Sequence, residues 1–570
     1  MRRLLLVVLR LLAGAGAALV LGSCASLFAP DRSARAPALE GFGTLRMPVA
    51  TTVPAAQALF ARGMLQSYAF NDTEAARAFK AALALDPECA MCAWGVAKAA
   101  GPNINDTDRG DLSDARRHLA WAARHAASLT ARERALVEAL AERYGPEPGG
   151  NPRTPAVPEA PICGAGGAAK AHPLDVVYAA RMRALADAYP DDPDLLVLYA
   201  EAVMIATRDD WWDRKTGQAS GEIGLVTERL EHALLTHPGH PGLNHFLIHA
   251  ADSSSRPERA EAAADRLGGL APSSPHLLHM PAHIYVRTGR YHDAVRVNLE
   301  ALAAQARQKA ALDAQGFSQS VDWDGHNRYF LWFAALTEGR GALALEQARA
   351  FAKRAEKGKS ANAEFIRSLP LLTLVRLERW GEVLKEPAAA GDAGLAGPIA
   401  DYAHGVALVR SGQPAAASEK AAVLQAALDA PALKGKSVMS DDPARTVLDI
   451  LASRLRAEIA AAEGRTDASA TALAHGIELE AALNSSEPPL LGSFSQVALG
   501  SLMLRAQRWA EAERAYRAEL LARPGSGWAL AGLQQALAGQ GKAEEARRVR
   551  AVAERVWAAA DASVRGILLR

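Results

Sequence analysis

Apolar residues recur along this chain at helical spacing, and no stretch sustains the two-residue alternation of a half-buried strand. The pattern predicts paired helices from about residue 55 to 560. The clearest pairs share a layout: a small residue in the first helix, a glycine at the turn, an alanine five residues on, and a proline closing the second helix. In PHLLHMPAHIYVRTGRYHDAVRVNLEALAA these positions are Ala282, Gly289, Ala294 and Ala301, with Tyr291 just after the turn. Pro238, Ala260 and Pro272 fall where a 34-residue step predicts them. NDTEAARAFKAALALDP carries Ala75, Phe79, Ala82 and Pro87, and RWAEAERAYRAELLARP carries Ala512, Tyr516 and Pro524. QGKAEEARRV continues the pattern with Gly541 and Ala546. Small side chains let paired helices approach closely, and the glycine frees the turn.

A 34-residue helix–turn–helix step is the signature of a stacked repeat, and these units resemble the tetratricopeptide repeat (TPR) family. The resemblance implies an all-α, right-handed superhelical solenoid of TPR-like repeats, in which the first helix of each repeat lines a concave groove. The local motifs DPECAMCAWG, GPNIN, LNHFLIH and HMPAHIYVRTGRY also resemble a group of bacterial TPR-containing lipoproteins of unassigned activity.

The pattern breaks in several places. Residues 145–173 are rich in Pro, Gly and Ala and read as a linker or loop. Insertions at 207–222 and 309–325 carry Trp211, Trp212 and Trp323, which read equally as binding groups and as packing plugs. The expected layout is a leader over 1–23, a flexible tether over 24–50 and N-terminal repeats over 51–144. After the linker come central repeats over 174–385, a loop over 386–397, and C-terminal repeats over 398–570.

The first residues bear on location. Arg2, Arg3 and Arg10 precede the short apolar run Leu11–Leu21, the layout of a secretory leader rather than a membrane span. Leu21-Gly22-Ser23-Cys24 looks like a bacterial lipobox with Cys24 as the lipidated residue, and an ordinary leader with an incidental cysteine is the alternative. Ala25 after the cysteine resembles lipoproteins of the outer membrane, facing either the periplasm or the exterior. At 570 residues the chain exceeds one compact core. Its net charge of +1 gives no field for nucleic acid, so that class of partner is not expected.

Candidate chemistry lies in the central repeats. Nine of the fifteen histidines fall between His232 and His292, and the pair His245/His249 recurs one step later as His279/His283. By the resemblance, His245, His249 and Asp252 share the groove face of one first helix, and His276, His279, His283 and Arg287 that of the next. His326 takes the matching early position past the insertion. Three readings follow from this set. The groove binds a peptide or partner protein through His and Arg287; or His245, His249, His279 and His283, or three of them with Asp252, hold Zn or Cu in a metal-binding protein or metal-dependent enzyme; or the histidines are structural, satisfied by backbone and neighbouring side chains. His232, His237, His240 and His292 lie off this face. His245-Phe-Leu-Ile-His249 lacks the Glu of a zincin, so no catalytic group is assigned. Pro281 either kinks the second helix between its histidines or begins a new one.

Cys89-Ala-Met-Cys92 reads as a local disulfide in an oxidising compartment, and Ala93 excludes c-type haem attachment. Cys163 lies in the linker with no evident partner. No phosphate loop, nucleophile elbow or dinucleotide fingerprint stands in a strand–helix context.

Overall fold

The computed structural model describes residues 31–145, 171–208, 211–213, 215–319, 321–439, 442–483, 488–491 and 494–568. The expected leader, Cys24 and its lipobox, and nearly all of the 145–173 linker with Cys163 lie outside these residues. The described chain is all-α, with one short β-ribbon pairing Ser437–Val438 with Asp442–Pro443.

Two compact units divide the described residues, 31–103 with 107–145 and 171–206, and 104–106 with 207–568. The first holds α1 (Pro54–Tyr68), α2 (Asp72–Leu85), α3 (Ala90–Lys98), α4 (Ser113–Arg124), α5 (Ala131–Arg143), α6 (Pro173–Ala188) and α7 (Pro193–Thr207). Consecutive helices from α1 to α6 pack on one another. Small residues at the crossings have a steric reason: an ideal Cβ on Gly63 or Gly95 would lie 2.5 or 2.4 Å from the Phe79 ring of α2. Buried polar bonds join α6 and α7 to the helices before the linker. Arg143 Nε donates to Asp175 at 2.7 Å, the Tyr68 hydroxyl to Asp194 at 2.7 Å, and Lys98 Nζ lies 3.2 Å from Glu201. The boundary therefore falls after about residue 206, not at the 145–173 linker. Residues 31–50 form no regular element, yet Leu39, Phe42 and Met47 are buried and Ala50 N–H donates to Glu133 at 2.6 Å. The stretch read as a tether to residue 50 thus packs over its second half, because its apolar side chains find a core. Cys89 and Cys92 are joined by a disulfide at the start of α3.

The second unit continues with α8 (Ile223–Thr236), α9 (Pro241–Asp252), α10 (Glu261–Leu270), α11 (Pro275–His279), α12 (Pro281–Thr288), α13 (Tyr291–Ala314) and α14 (Asp324–Glu338). The chain then runs through further hairpins to Ala562–Leu568. The insertion read at 309–325 is half helix, since α13 runs to Ala314 with no Gly or Pro to stop it. Gly289 and Gly339 end α12 and α14 at φ +81° and +82°, a left-handed cap open to glycine.

A repeat array of the simplest kind links each unit only to its neighbours. Here the chain's end returns onto the central repeats. Trp528 Nε1 donates to Leu336 O at 2.9 Å, the Tyr329 hydroxyl to Leu490 O at 3.1 Å, and Ala342 N–H to Asp561 at 2.8 Å.

Candidate metal centre

Four helical segments, α9, α11, α12 and α14, supply six imidazoles. Pro241 and Pro275 open α9 and α11 at the first helical position, each behind a capping side chain. His240 Nδ1 accepts from Leu243 N–H at 3.2 Å, and Ser274 Oγ accepts from Leu277 N–H at 3.3 Å. The two helices therefore start in the same phase, and residues 34 apart leave equivalent faces. Pro281 interrupts the backbone bonds, but Met280 keeps helical angles (φ −49°, ψ −37°). His276 and His279 thus stand on one helical segment and His283 on the next.

The structure sorts these side chains into two triads. His245, His249 and His276 bring ring nitrogens within 4.8 Å of one another, and so do His279, His283 and His326. Within the first, His245 Nε2 lies 3.0 Å from both His249 Nε2 and His276 Nε2. Within the second, His279 Nε2 lies 3.0 Å from His283 Nε2, and the His279 and His326 rings are 4.6 Å apart. None of the six is more than 6% exposed.

The second triad's protonation can be worked out. His279 Nδ1 faces Asn298 Oδ1 at 2.7 Å and His283 Nδ1 faces Asp252 Oδ2 at 2.9 Å. The Asn298 amide nitrogen donates to Ala294 O at 2.7 Å, which turns its oxygen toward the ring. Both oxygens only accept, so both Nδ1 atoms carry the proton. With both rings neutral, each Nε2 presents a lone pair, and the two lone pairs face each other at 3.0 Å. Such a pairing is repulsive unless a cation lies between. Around an ion with Zn–N bonds of 2.0–2.1 Å, that spacing corresponds to an N–metal–N angle of about 95°. Both ring nitrogens of His326 are buried without a hydrogen-bond partner among the described residues.

Burial keeps four of these imidazoles neutral. It drives His249, His276 and His279 well below the ordinary histidine range, with neighbouring imidazoles adding to the effect, and lowers His326 to about 3. Neutral imidazole is the metal-binding form.

Several expectations need correction. His245, His249, His279 and His283 do not meet at one point, because each pair is completed by a third histidine, His276 or His326. Asp252 is no ligand but the acceptor behind His283, with its carboxylate turned to Nδ1. Arg287 stands outside the cluster and donates to the carbonyls of Asp252 and Ser254, at 2.8 Å for the latter, closing the C-terminus of α9. The six histidines are not spread along an open groove. Trp323 covers His276 with ring centroids 4.2 Å apart, and Phe330 lies 4.4–5.0 Å from His279, His283 and His326. Trp323 is therefore a plug from its insertion, and Trp212 of the other insertion donates to Ala250 O at 2.8 Å, bracing α9. Of the remaining histidines, His240 is the cap of α9 and His292 Nδ1 lies 2.7 Å from Glu338. Sequence reasoning missed Asn298 and Phe330, since their contacts cross between helices and leave no spacing along the chain.

No family model matches this chain. No curated protein matches it either. Among solved structures, human IFIT1, as a dimer with m7Gppp-AAAA, is similar at 13% identity over 90% of this chain and 91% of its own, with a TM-score of 0.29. Yeast Tom70 is similar at 12% identity over 88% and 92%, with a TM-score of 0.26. The TPR domain of P58(IPK) is similar at 11% identity over 86% and 99%, with a TM-score of 0.22. Superpositions this loose say nothing about the histidines, whose chemistry stands on the geometry above.

Proposed function

We propose that this is a metal-binding protein of the bacterial cell envelope, carrying one transition-metal ion in each histidine triad of its central repeats. The observation that carries the reading is the 3.0 Å approach of His279 Nε2 to His283 Nε2, with Asn298 and Asp252 holding the far nitrogen of each ring. Acceptors behind the ligating imidazoles are a regular feature of metal sites, where they fix the tautomer and orient the ring. Three neutral imidazoles per ion suit Zn or Cu in ligand type. A peptide groove would need these side chains exposed. A peptide or protein partner of this chain would have to be met by other residues.

The envelope location rests on the leader pattern and on Cys24 as the lipid-bearing residue. The Cys89–Cys92 disulfide fits an oxidising compartment.

The test is elemental analysis of the full-length protein, purified without a metal-binding tag after growth with added Zn or Cu. Two ions per chain are expected, falling to one in His276→Ala and in His326→Ala protein. A chain that takes up no metal under any loading overturns the reading.

A further inference from the structure

We infer that the two triads act together as one dinuclear copper centre that binds dioxygen between its ions. The inference rests on the metal-binding reading above and concerns which metal is held and what it does.

The triads are interlocked rather than merely adjacent. His276 of the first and His279 of the second stand three residues apart, one helical turn on α11. Asp252, on the helix that carries His245 and His249, holds His283 of the other triad at 2.9 Å. The His249 and His283 rings, which belong to different triads, are 6.5 Å apart, close to the 6.2 Å between His249 and His276 within one triad. Ions that work jointly sit about 3.5–4 Å apart in two-metal sites, and rings this close allow such an approach.

The donor set narrows the metal. Three protein ligands per ion leave a coordination position open, the mark of a reacting site rather than a structural zinc site with four. Among the described residues no cysteine joins either triad, which argues against the His2Cys arrangement of electron-transfer copper. Non-haem iron uses two histidines and one carboxylate; among the described residues no carboxylate joins either triad, and Asp252 bonds His283 at Nδ1. Hard ions such as Mg and Ca prefer oxygen donors.

Charge then separates copper from zinc. All six imidazoles are buried, burial holds His249, His276, His279 and His326 neutral, and Asp252 is the carboxylate bonded to His283, with Arg287 Nη1 3.8 Å away from it. Two Zn ions would bring four positive charges into this dry place, where uncompensated charge is costly. Two Cu(I) ions bring two. On binding dioxygen each Cu(I) gives one electron and becomes Cu(II), and the dioxygen takes both electrons to become bridging peroxide. No proton moves and no other reductant enters. The centre carries two positive charges before and after, so the step adds no charge to a low-dielectric site. Trp323 and Phe330 line the cluster with apolar rings, a setting open to a small neutral gas and unfavourable to an ionic substrate.

The experiment loads the full-length protein with a cuprous acetonitrile complex under anaerobic conditions, counts bound copper, and then admits measured dioxygen. Two copper ions per chain, uptake of one dioxygen per pair, an intense near-ultraviolet peroxide-to-copper band and silence in electron paramagnetic resonance are expected. His326→Ala protein, checked for helicity by circular dichroism, should keep one copper and lose dioxygen uptake. If that variant misfolds, Asp252→Asn serves in its place, with weaker loading of one ion and uptake reduced in proportion to the intact pairs. Two bound copper ions with no dioxygen uptake, or with two separate Cu(II) signals afterwards, overturn the inference and leave metal binding standing. A single bound copper overturns it as well. No uptake of either copper or zinc removes both readings.

Discussion

Replacing Asp252 by Asn tests the centre at a residue that touches no ion. The substitution keeps size and an oxygen that can accept from His283 Nδ1, and removes the negative charge 2.9 Å from it. Both partners are buried, so solvent does little to screen the loss. An ion on the far side of the ring lies roughly 7 Å from the carboxylate, counting a metal–nitrogen bond of about 2 Å. At an effective dielectric constant of about 20, a unit charge at that distance contributes about 2.4 kcal/mol. At about 1.4 kcal/mol per decade this is on the order of 50-fold in affinity. It agrees with the roughly 10- to 100-fold loss typical when the partner behind a ligating histidine is changed. Competition against a chromophoric chelator should show weaker binding of that size for the ion of the second triad, with the far-ultraviolet dichroism unchanged. Affinities that stay within threefold of the wild type for both ions would refute the assignment of Asp252 as the charged support of a metal ligand.

Three further outcomes follow from the same structure. Trp323 stacks on His276, so copper loading should quench tryptophan fluorescence, and Trp323→Phe protein should show a smaller fractional quench; equal quenching would place the ion elsewhere. Gly95→Ala puts a methyl group 2.4 Å from the Phe79 ring, an overpacking that should cost about 1–3 kcal/mol in urea unfolding, and an unchanged midpoint would show that α2 and α3 can separate freely. Burial lowers His118 below its ordinary value near 6.5, against the raising effect of its bond to Asp114 O. The unfolded chain therefore takes up a proton first as pH falls, and the first unit should lose stability from about pH 6.5 downward, with the slope reduced in His118→Gln and an equal slope refuting the assignment.

The repeat architecture was legible because it is written in local terms. Helical spacing of apolar residues, prolines at Pro238 and Pro272, and glycines at Gly289 and Gly541 each act within a few positions, so their period survives in one dimension. The duplicated pairs His245/His249 and His279/His283 were visible for the same reason, as residues four apart on helices that start in phase. Which histidines share an ion was not legible. The first triad forms from two helical segments and the second from three, and their meeting depends on side-chain packing between them, so His276 and His326, rather than Asp252, complete the sets. The turn of Asp252 to Nδ1 of His283, the support of His279 by Asn298, and the burial of the cluster under Trp323 and Phe330 all arise across helix interfaces. The sequence by itself determined a stack of α-helical hairpins with imidazoles on matching faces, because periodicity is a property of the chain. Only the tertiary structure decided that these imidazoles meet in two buried threes with their lone pairs converging, because convergence is a property of the distance between helices.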